Sequence, residues 1–80
     1  MSGENLVRMA NRIGDFFESM PDRPEALEGI AIHIRKFWAP SMRSALLKDI
    51  DSGAAGELKP IVSEAIALHR TSLQPASAAS

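Results

Sequence analysis

Apolar residues recur along this chain at spacings of three and four, the pattern of helices that bury one face. The first such segment covers about residues 4–19, and the second begins after a turn around Pro21. Asp22 is a favourable N-cap for that second helix, and Glu25 stands three residues later, as in a capping box. The predicted core stripes of these two helices are Leu6, Met9, Ala10, Ile13, Phe17 and Met20, followed by Leu27, Ile30, Ala31, Ile34 and Trp38.

Two further helices follow the second. Pro40 disfavours helical geometry at the residue before it and is well suited to the first turn of the next helix. The third helix is predicted over about Ser41–Ile50, with Gly53 as its C-terminal cap. The fourth runs from about residue 59 or 60 to Arg70. Their stripes are Met42, Ala45, Leu46 and Ile50, followed by Leu58, Ile61, Val62, Ala65 and His69.

These segments predict an all-α fold, a small bundle of four short helices joined by short turns. Residues 1–70 form one helical domain in this interpretation, and the small, polar sequence of residues 71–80 is predicted to be a disordered tail. Some apolar residues do not fit the stripes. Val7, Ile32 and Leu47 fall outside them, while Phe16 and Phe37 lie at their edges.

Composition limits the function classes that this chain can serve. Eighty residues form at most one domain, which buries only about 60% of its unfolded surface. Without cysteine there is no disulfide to support so thin a core, so a partner chain is expected. A formal charge of −1 argues against nucleic-acid binding. Neither a membrane span nor a secretion signal is evident, which predicts a soluble cytoplasmic protein with no membrane partner.

No arrangement of residues indicates catalysis. Each of the two histidines, His33 and His69, follows a glutamate by five residues, a spacing that directs the two side chains of each pair to different sides of a helix. There is no cysteine nucleophile, no glycine-rich phosphate loop and no zinc-binding histidine pair. We therefore predict no catalytic, cofactor-binding or metal-binding residue, and a chain that is not an enzyme by itself.

The segment Ile30–Arg43 is the most plausible place for a partner to bind, because basic side chains and the single tryptophan cluster there without an acidic residue. Three interpretations remain open. Protein docking is favoured, since arginine, tryptophan and methionine are enriched at interfaces. A solvated helix face comes next, and phosphate binding by a helix-turn-helix is the weakest. The candidate interface consists of Ile32, Arg35, Lys36, Trp38, Met42, Arg43 and Leu47.

Four motifs in the first half of the chain carry a resemblance to a known family. They are MANRIGDFF at Met9–Phe17, the turn Pro21–Arg23, IAIHI at Ile30–Ile34 and FWAPSMR at Phe37–Arg43. In this order and spacing, the segment from residue 6 to residue 47 resembles the delta subunit of soluble NAD-dependent, molybdenum-containing formate dehydrogenases.

This resemblance implies a non-catalytic accessory subunit that supports assembly or stability of the complex oxidising formate to carbon dioxide. The implied partner is the large alpha subunit, with the beta and gamma subunits as further contacts. The complex of that family uses molybdopterin guanine dinucleotide, iron–sulfur clusters, FMN and NAD, none of them expected in this chain. A small helical DNA-binding regulator and a stand-alone homodimer are the alternatives.

Overall fold

A computed structural model describes residues 3–75, and their side chains from residue 5 onward. The described residues form helices without a β-strand, which confirms the all-α prediction. The four longer helices that were predicted are all present, and a short fifth helix follows them. Their bounds are α1 Gly3–Phe17, α2 Arg23–Phe37, α3 Pro40–Ser52, α4 Pro60–Leu68 and α5 Arg70–Leu73.

The helix ends follow from capping residues that the sequence marks. The Asp22 carboxylate accepts a hydrogen bond from the backbone N–H of Glu25 at 3.2 Å, as expected of an N-cap. Pro40 occupies the first turn of α3, where the backbone N–H that it lacks would have no helical partner. Gly53 ends α3 with φ of 83°, the left-handed conformation that glycine adopts at low cost.

The core lies where α2 and α4 pack against each other, with α1 covering both and α5 closing the end of α2. Helix α1 also packs against α3, so it has three helical neighbours. The buried residues of the core come from all five helices. They include Leu6, Ala10, Leu27, Ile30, Ile34, Leu46, Ile61, Val62, Ala65, Ile66 and Leu73.

Two residues predicted to point away from the core are instead buried. Val7 is buried because α1 packs against α3 as well as against α2 and α4, so more of its circumference is covered than one stripe. Leu47 is buried beside Leu46, while Met42, Ala45 and Ile50 are only half-buried. The buried face of α3 is therefore rotated from the predicted stripe.

The ordered chain extends beyond the predicted domain boundary at residue 70. Helix α5 begins there, and both Leu73 and Pro75 are buried. The carbonyl oxygen of Leu73 accepts a hydrogen bond from the Arg43 guanidinium at 3.3 Å, which ties α5 to α3. A single apolar residue in a polar segment gives no periodic signal, so the sequence did not indicate this contact. The rest of the predicted tail, residues 76–80, lies outside the described residues.

Candidate docking surface

The outward side of α2 presents an apolar residue beside two cations. Ile32 is 45% exposed, and Arg35 and Lys36 are exposed one turn further along. The two cations lie in the last turn of α2, where the helix dipole favours positive charge. These three members of the predicted interface are thus available to a partner.

The remaining members of the predicted interface are less accessible. Met42 and Arg43 are half-buried, and Arg43 is engaged with α5 through its hydrogen bond to Leu73. Trp38 and Leu47 lie in the core at 7% and 6% exposure. Trp38 is the C-cap residue of α2, and its ring lies in the hydrophobic core. The outward surface of α2 therefore does not include the tryptophan corner.

An aromatic pair at the end of α1 packs against α2. The ring of Phe17 rests on Gly29, so closely that a Cβ atom at Gly29 would stand 2.5 Å from a ring carbon. Phe16 meets Phe17 edge to face, with ring centroids 5.0 Å apart, and is 74% exposed. Glycine at position 29 thus makes room for an aromatic ring between the two helices.

A second aromatic pair lies on α2. His33 lies one turn after Gly29, and its ring centroid is 4.8 Å from that of Phe37, which is 72% exposed. Sequence reasoning placed Phe16 and Phe37 only at the edges of two separate stripes. The structure gives each of them a second ring as neighbour, and the contact of Phe17 with Gly29 depends on the packing of α1 on α2, which the pattern within one helix does not reveal.

Several exposed cations in the described part of the chain have no ion-pair partner. Among the residues that the structure describes, the side chains of Arg8 and Arg12 on α1 and of Arg35 and Lys36 on α2 form no ion pair, nor does Lys48 on α3. The exposed acidic residues of α2, Glu25 and Glu28, belong to its first half, away from Phe37. The C-terminal half of α2 is therefore the more basic half of that helix.

The paired charges hold other parts of the fold together. Lys59 contacts Asp15 at 2.7 Å and Glu18 at 3.2 Å, and the hydrogen bonds that its ammonium group donates to these carboxylates raise its pKa. Arg70 donates two hydrogen bonds to Asp51, at 2.9 and 2.6 Å, which lower the pKa of that carboxyl group and raise the pKa of the guanidinium. These pairs join α1 to the start of α4 and α3 to α5.

Two buried polar atoms occur near α5. The Nε atom of Arg43 and the Nε2 atom of His69 have no hydrogen-bond partner among the described residues. His69 joins α4 to α5, and its backbone N–H donates a hydrogen bond to the carbonyl oxygen of Ala65 at 3.0 Å.

Within residues 3–75 there is no group of three or more His, Cys, Asp or Glu side chains placed to hold a metal ion.

A shallow groove of about 510 Å³ separates the first half of α1 from the loop before α4. Its walls include Arg8 and Glu57, and Asn11 closes one side through its hydrogen bonds to the loop.

None of the helices in the part of the chain that the structure describes is long and apolar enough to span a membrane.

Comparison with known protein families gives a match. The family model described as NADH-dependent formate dehydrogenase delta subunit, FdsD, matches residues 5–66, which is more than half of the chain. This range contains most of α1, the whole of α2 and α3, and most of α4. Neither the curated proteins nor the solved structures include a match to this chain.

Proposed function

The chain belongs to the family of NADH-dependent formate dehydrogenase delta subunits, FdsD, and we propose that it is an accessory subunit that stabilises the formate dehydrogenase complex or its assembly. The observation that carries this proposal is the family match over residues 5–66. In this role the chain itself carries out no step of formate oxidation, and it acts by binding the subunits that do.

In this proposal the chain stabilises its partner through the free energy of binding to the partner's native form. A chain that binds the native form of its partner and not the unfolded form raises the partner's stability as its concentration exceeds the dissociation constant. A small helical domain with exposed phenylalanine and arginine side chains suits this role, because both residue types are enriched at protein interfaces. The same linkage would protect an assembly intermediate.

The proposed partner is the large alpha subunit, with the beta and gamma subunits as further contacts. In this proposal those subunits hold the molybdopterin guanine dinucleotide, the iron–sulfur clusters and the FMN, and they bind NAD. The delta chain holds none of these groups and acts with the complex in the cytoplasm.

The experiment compares complexes produced with and without this chain. The alpha, beta and gamma subunits are expressed together in both cases, and yield, molybdenum and iron content, formate-dependent NAD⁺ reduction and thermal inactivation are measured. We expect lower yield or faster inactivation without the chain, restored when it is supplied on a second plasmid. Equal values in both preparations would overturn the proposal.

Mass spectrometry of the purified complex separates the two forms of the proposed role. A permanent subunit is present at fixed stoichiometry in active complex. An assembly factor is absent from active complex but present in preparations that lack molybdenum. In either case the chain associates with the other subunits at some stage.

A further inference from the structure

The outward side of α2 carries four charged residues in a self-complementary order. Glu25 and Glu28 lie in the first half of the helix, and Arg35 and Lys36 lie in its last turn. All four side chains are exposed, and none forms an ion pair with a residue that the structure describes. The anions do not reach the cations of their own helix, because even Glu28 and Arg35 are separated by about 10 Å along its axis.

The spacing of these charges places matching pairs on common lines along the helix. Glu28 and Arg35 are seven residues apart, which is about two turns, and Glu25 and Lys36 are eleven apart, which is about three turns. Both pairs are centred within one residue of position 31. A two-fold axis at that level, perpendicular to α2, sets two copies of the helix antiparallel. Each copy then brings Glu28 to Arg35 of the other copy and Glu25 to Lys36 of the other copy.

An apolar contact lies at the same level of α2. Ile32 is 45% exposed, and Gly29 stands three residues before it on the same side of the helix. The half-buried ring of Phe17 rests on Gly29, in the space that a side chain there would occupy. Ile32 and Gly29 are centred between positions 30 and 31, so in the antiparallel pair Ile32 of one copy faces Gly29 of the other. An exposed isoleucine thus meets a position without a side chain and the ring beside it.

The helix dipole accounts for only part of this arrangement. Acidic residues near the start of a helix and basic residues near its end are favourable in a single helix as well. The dipole acts on each end separately, however, and it requires neither a common centre for the two charge pairs nor an exposed isoleucine at that centre. A different protein would need its own cations and anions in the matching order, whereas a second copy supplies them by symmetry.

We propose that the α2 face, formed by Glu25, Glu28, Ile32, Arg35 and Lys36, binds a second copy of this chain as an antiparallel two-fold pair. The ion pairs determine the register of the two helices, and Ile32 packs at the centre. Exposed ion pairs each contribute little and are screened by salt, so the dimer is weak and salt-sensitive. The inference goes beyond the proposed function, because it concerns two copies of this chain and not the other subunits.

Sedimentation velocity of the full-length chain over a range of concentrations tests the pairing. We expect a monomer–dimer equilibrium whose dissociation constant rises with salt. Ile32→Ser should raise that constant about tenfold, because both copies lose their central apolar contact, and it should leave the helical circular dichroism unchanged. Leu68→Ser is the matched control, since Leu68 is 64% exposed on α4. A wild-type chain that stays monomeric at every concentration would overturn the proposal.

Charge reversal tests the antiparallel geometry. One variant carries Glu25→Lys with Glu28→Lys, and a second carries Arg35→Glu with Lys36→Glu. Each should be monomeric, because like charges then meet across the pair, whereas the variant with all four substitutions is self-complementary again and should regain the dimer. Lys48→Glu is the control and should leave the equilibrium unchanged, since Lys48 is exposed on α3 and has no ion pair within the described chain. A fourfold variant that remains monomeric would contradict the pairing.

Co-purification through a tag on this chain distinguishes the pairing from the proposed function. If the wild type is monomeric while Ile32→Ser recovers fewer of the other formate dehydrogenase subunits, the α2 face binds another subunit and the proposed pairing is wrong. It is also wrong if the wild-type dimer persists in Ile32→Ser and in both charge-reversal variants, because the copies then meet through another surface. A tagged chain that recovers no other subunit would overturn the proposed function and leave the dimer measurements unaffected.

Discussion

Gly14 shows how one residue sets the distance between two helices. A Cβ atom at this position would stand 2.5 Å from a methyl group of Val62 and 3.4 Å from one of Ile61. Val62 is fully buried, and its β-branched side chain has one strongly preferred rotamer in a helix, so its methyl group has little freedom to move away. Glycine lowers the helix propensity of α1 at this position, but it allows α1 to approach α4 closely.

Gly14→Ala is expected to destabilise the fold even though alanine favours helices. Overpacking costs about 1–3 kcal/mol, while the gain in helix propensity is about 1 kcal/mol, which leaves a net loss in the free energy of unfolding. Urea denaturation monitored by circular dichroism measures this. Gly56→Ala is the control, because nothing lies within 4 Å of a Cβ atom there and its stability should not fall. Equal stabilities of the two variants would contradict the tight contact.

Asn11 is a second residue whose role depends on a distant partner. Its side-chain amide donates to the carbonyl oxygen of Glu57 at 2.9 Å, and its carbonyl oxygen accepts from the backbone N–H of Lys59 at 2.8 Å. One side chain on α1 thus satisfies two backbone groups of the loop that leads into α4. The sequence separation exceeds 45 residues, so no local pattern could indicate the pairing.

Asn11→Ala is expected to lower the free energy of unfolding by about 1–3 kcal/mol, because two hydrogen bonds are lost and the Lys59 N–H is left partly buried without a partner. Amide hydrogen exchange should accelerate at Lys59 before it accelerates in α2. Arg12→Ala is the control on the same helix, since Arg12 is exposed and forms no ion pair with any residue that the structure describes. Unchanged exchange at Lys59 would argue against the bond to Asn11.

At the scale of elements, the three–four spacing predicted the four longer helices and most of their buried positions, because burial on one face leaves a periodic trace in the sequence. The N-cap Asp22 and the C-cap Gly53 were predictable as well, because capping depends on residues that are close in sequence. The errors at Val7 and Leu47 have tertiary causes. Helix α1 has three helical neighbours and buries more than one stripe, and the buried face of α3 is rotated from its predicted stripe. Neither is specified by the periodicity of the helix itself.

The pair of Asp51 and Arg70 links α3 to α5 and should make stability depend on pH in the acid range. The hydrogen bonds from Arg70 hold the pKa of the Asp51 carboxyl below its ordinary value of 3.8. A carboxyl group whose pKa is lowered by folding contributes stability above its ordinary pKa and loses that contribution as the pH falls through the lowered one. Wild type should therefore exceed Asp51→Asn in stability at pH 7, with the difference shrinking as the pH falls below 3.8.

A double-mutant cycle isolates this ion pair. Arg70→Gln should reduce stability in the wild-type background and have a smaller effect when Asp51 is already Asn, because the partner is then absent. Denaturation curves of the four proteins at pH 7 and at acid pH provide the comparison. A difference between wild type and Asp51→Asn that persists unchanged at acid pH would show that the carboxylate acts through something other than its charge.

At the scale of the whole molecule, the candidate surface was predictable only in part. The exposed side of α2, with Ile32, Arg35 and Lys36, was predictable because these residues fall outside the apolar stripe of that helix. Trp38 is not part of this surface, because its ring packs in the core against residues of other helices. Surfaces shared by two elements depend on their packing, which periodicity within one element does not specify.

The extent of the folded domain leads to a final prediction. Leu73 is 2% exposed, although it lies in a segment whose composition predicted a tail, whereas Leu68 in the preceding helix is 64% exposed. Removing a buried leucine side chain costs about 2–5 kcal/mol, because transfer free energy is lost and a cavity remains. Leu73→Ala should therefore lower the free energy of unfolding by an amount in that range, and Leu68→Ala should change it by less than about 0.5 kcal/mol. Thermal and urea denaturation of the two variants measure the difference. Near-equal stabilities would mean that the domain ends at residue 70, and that neither α5 nor the bond between Arg43 and Leu73 contributes to the fold.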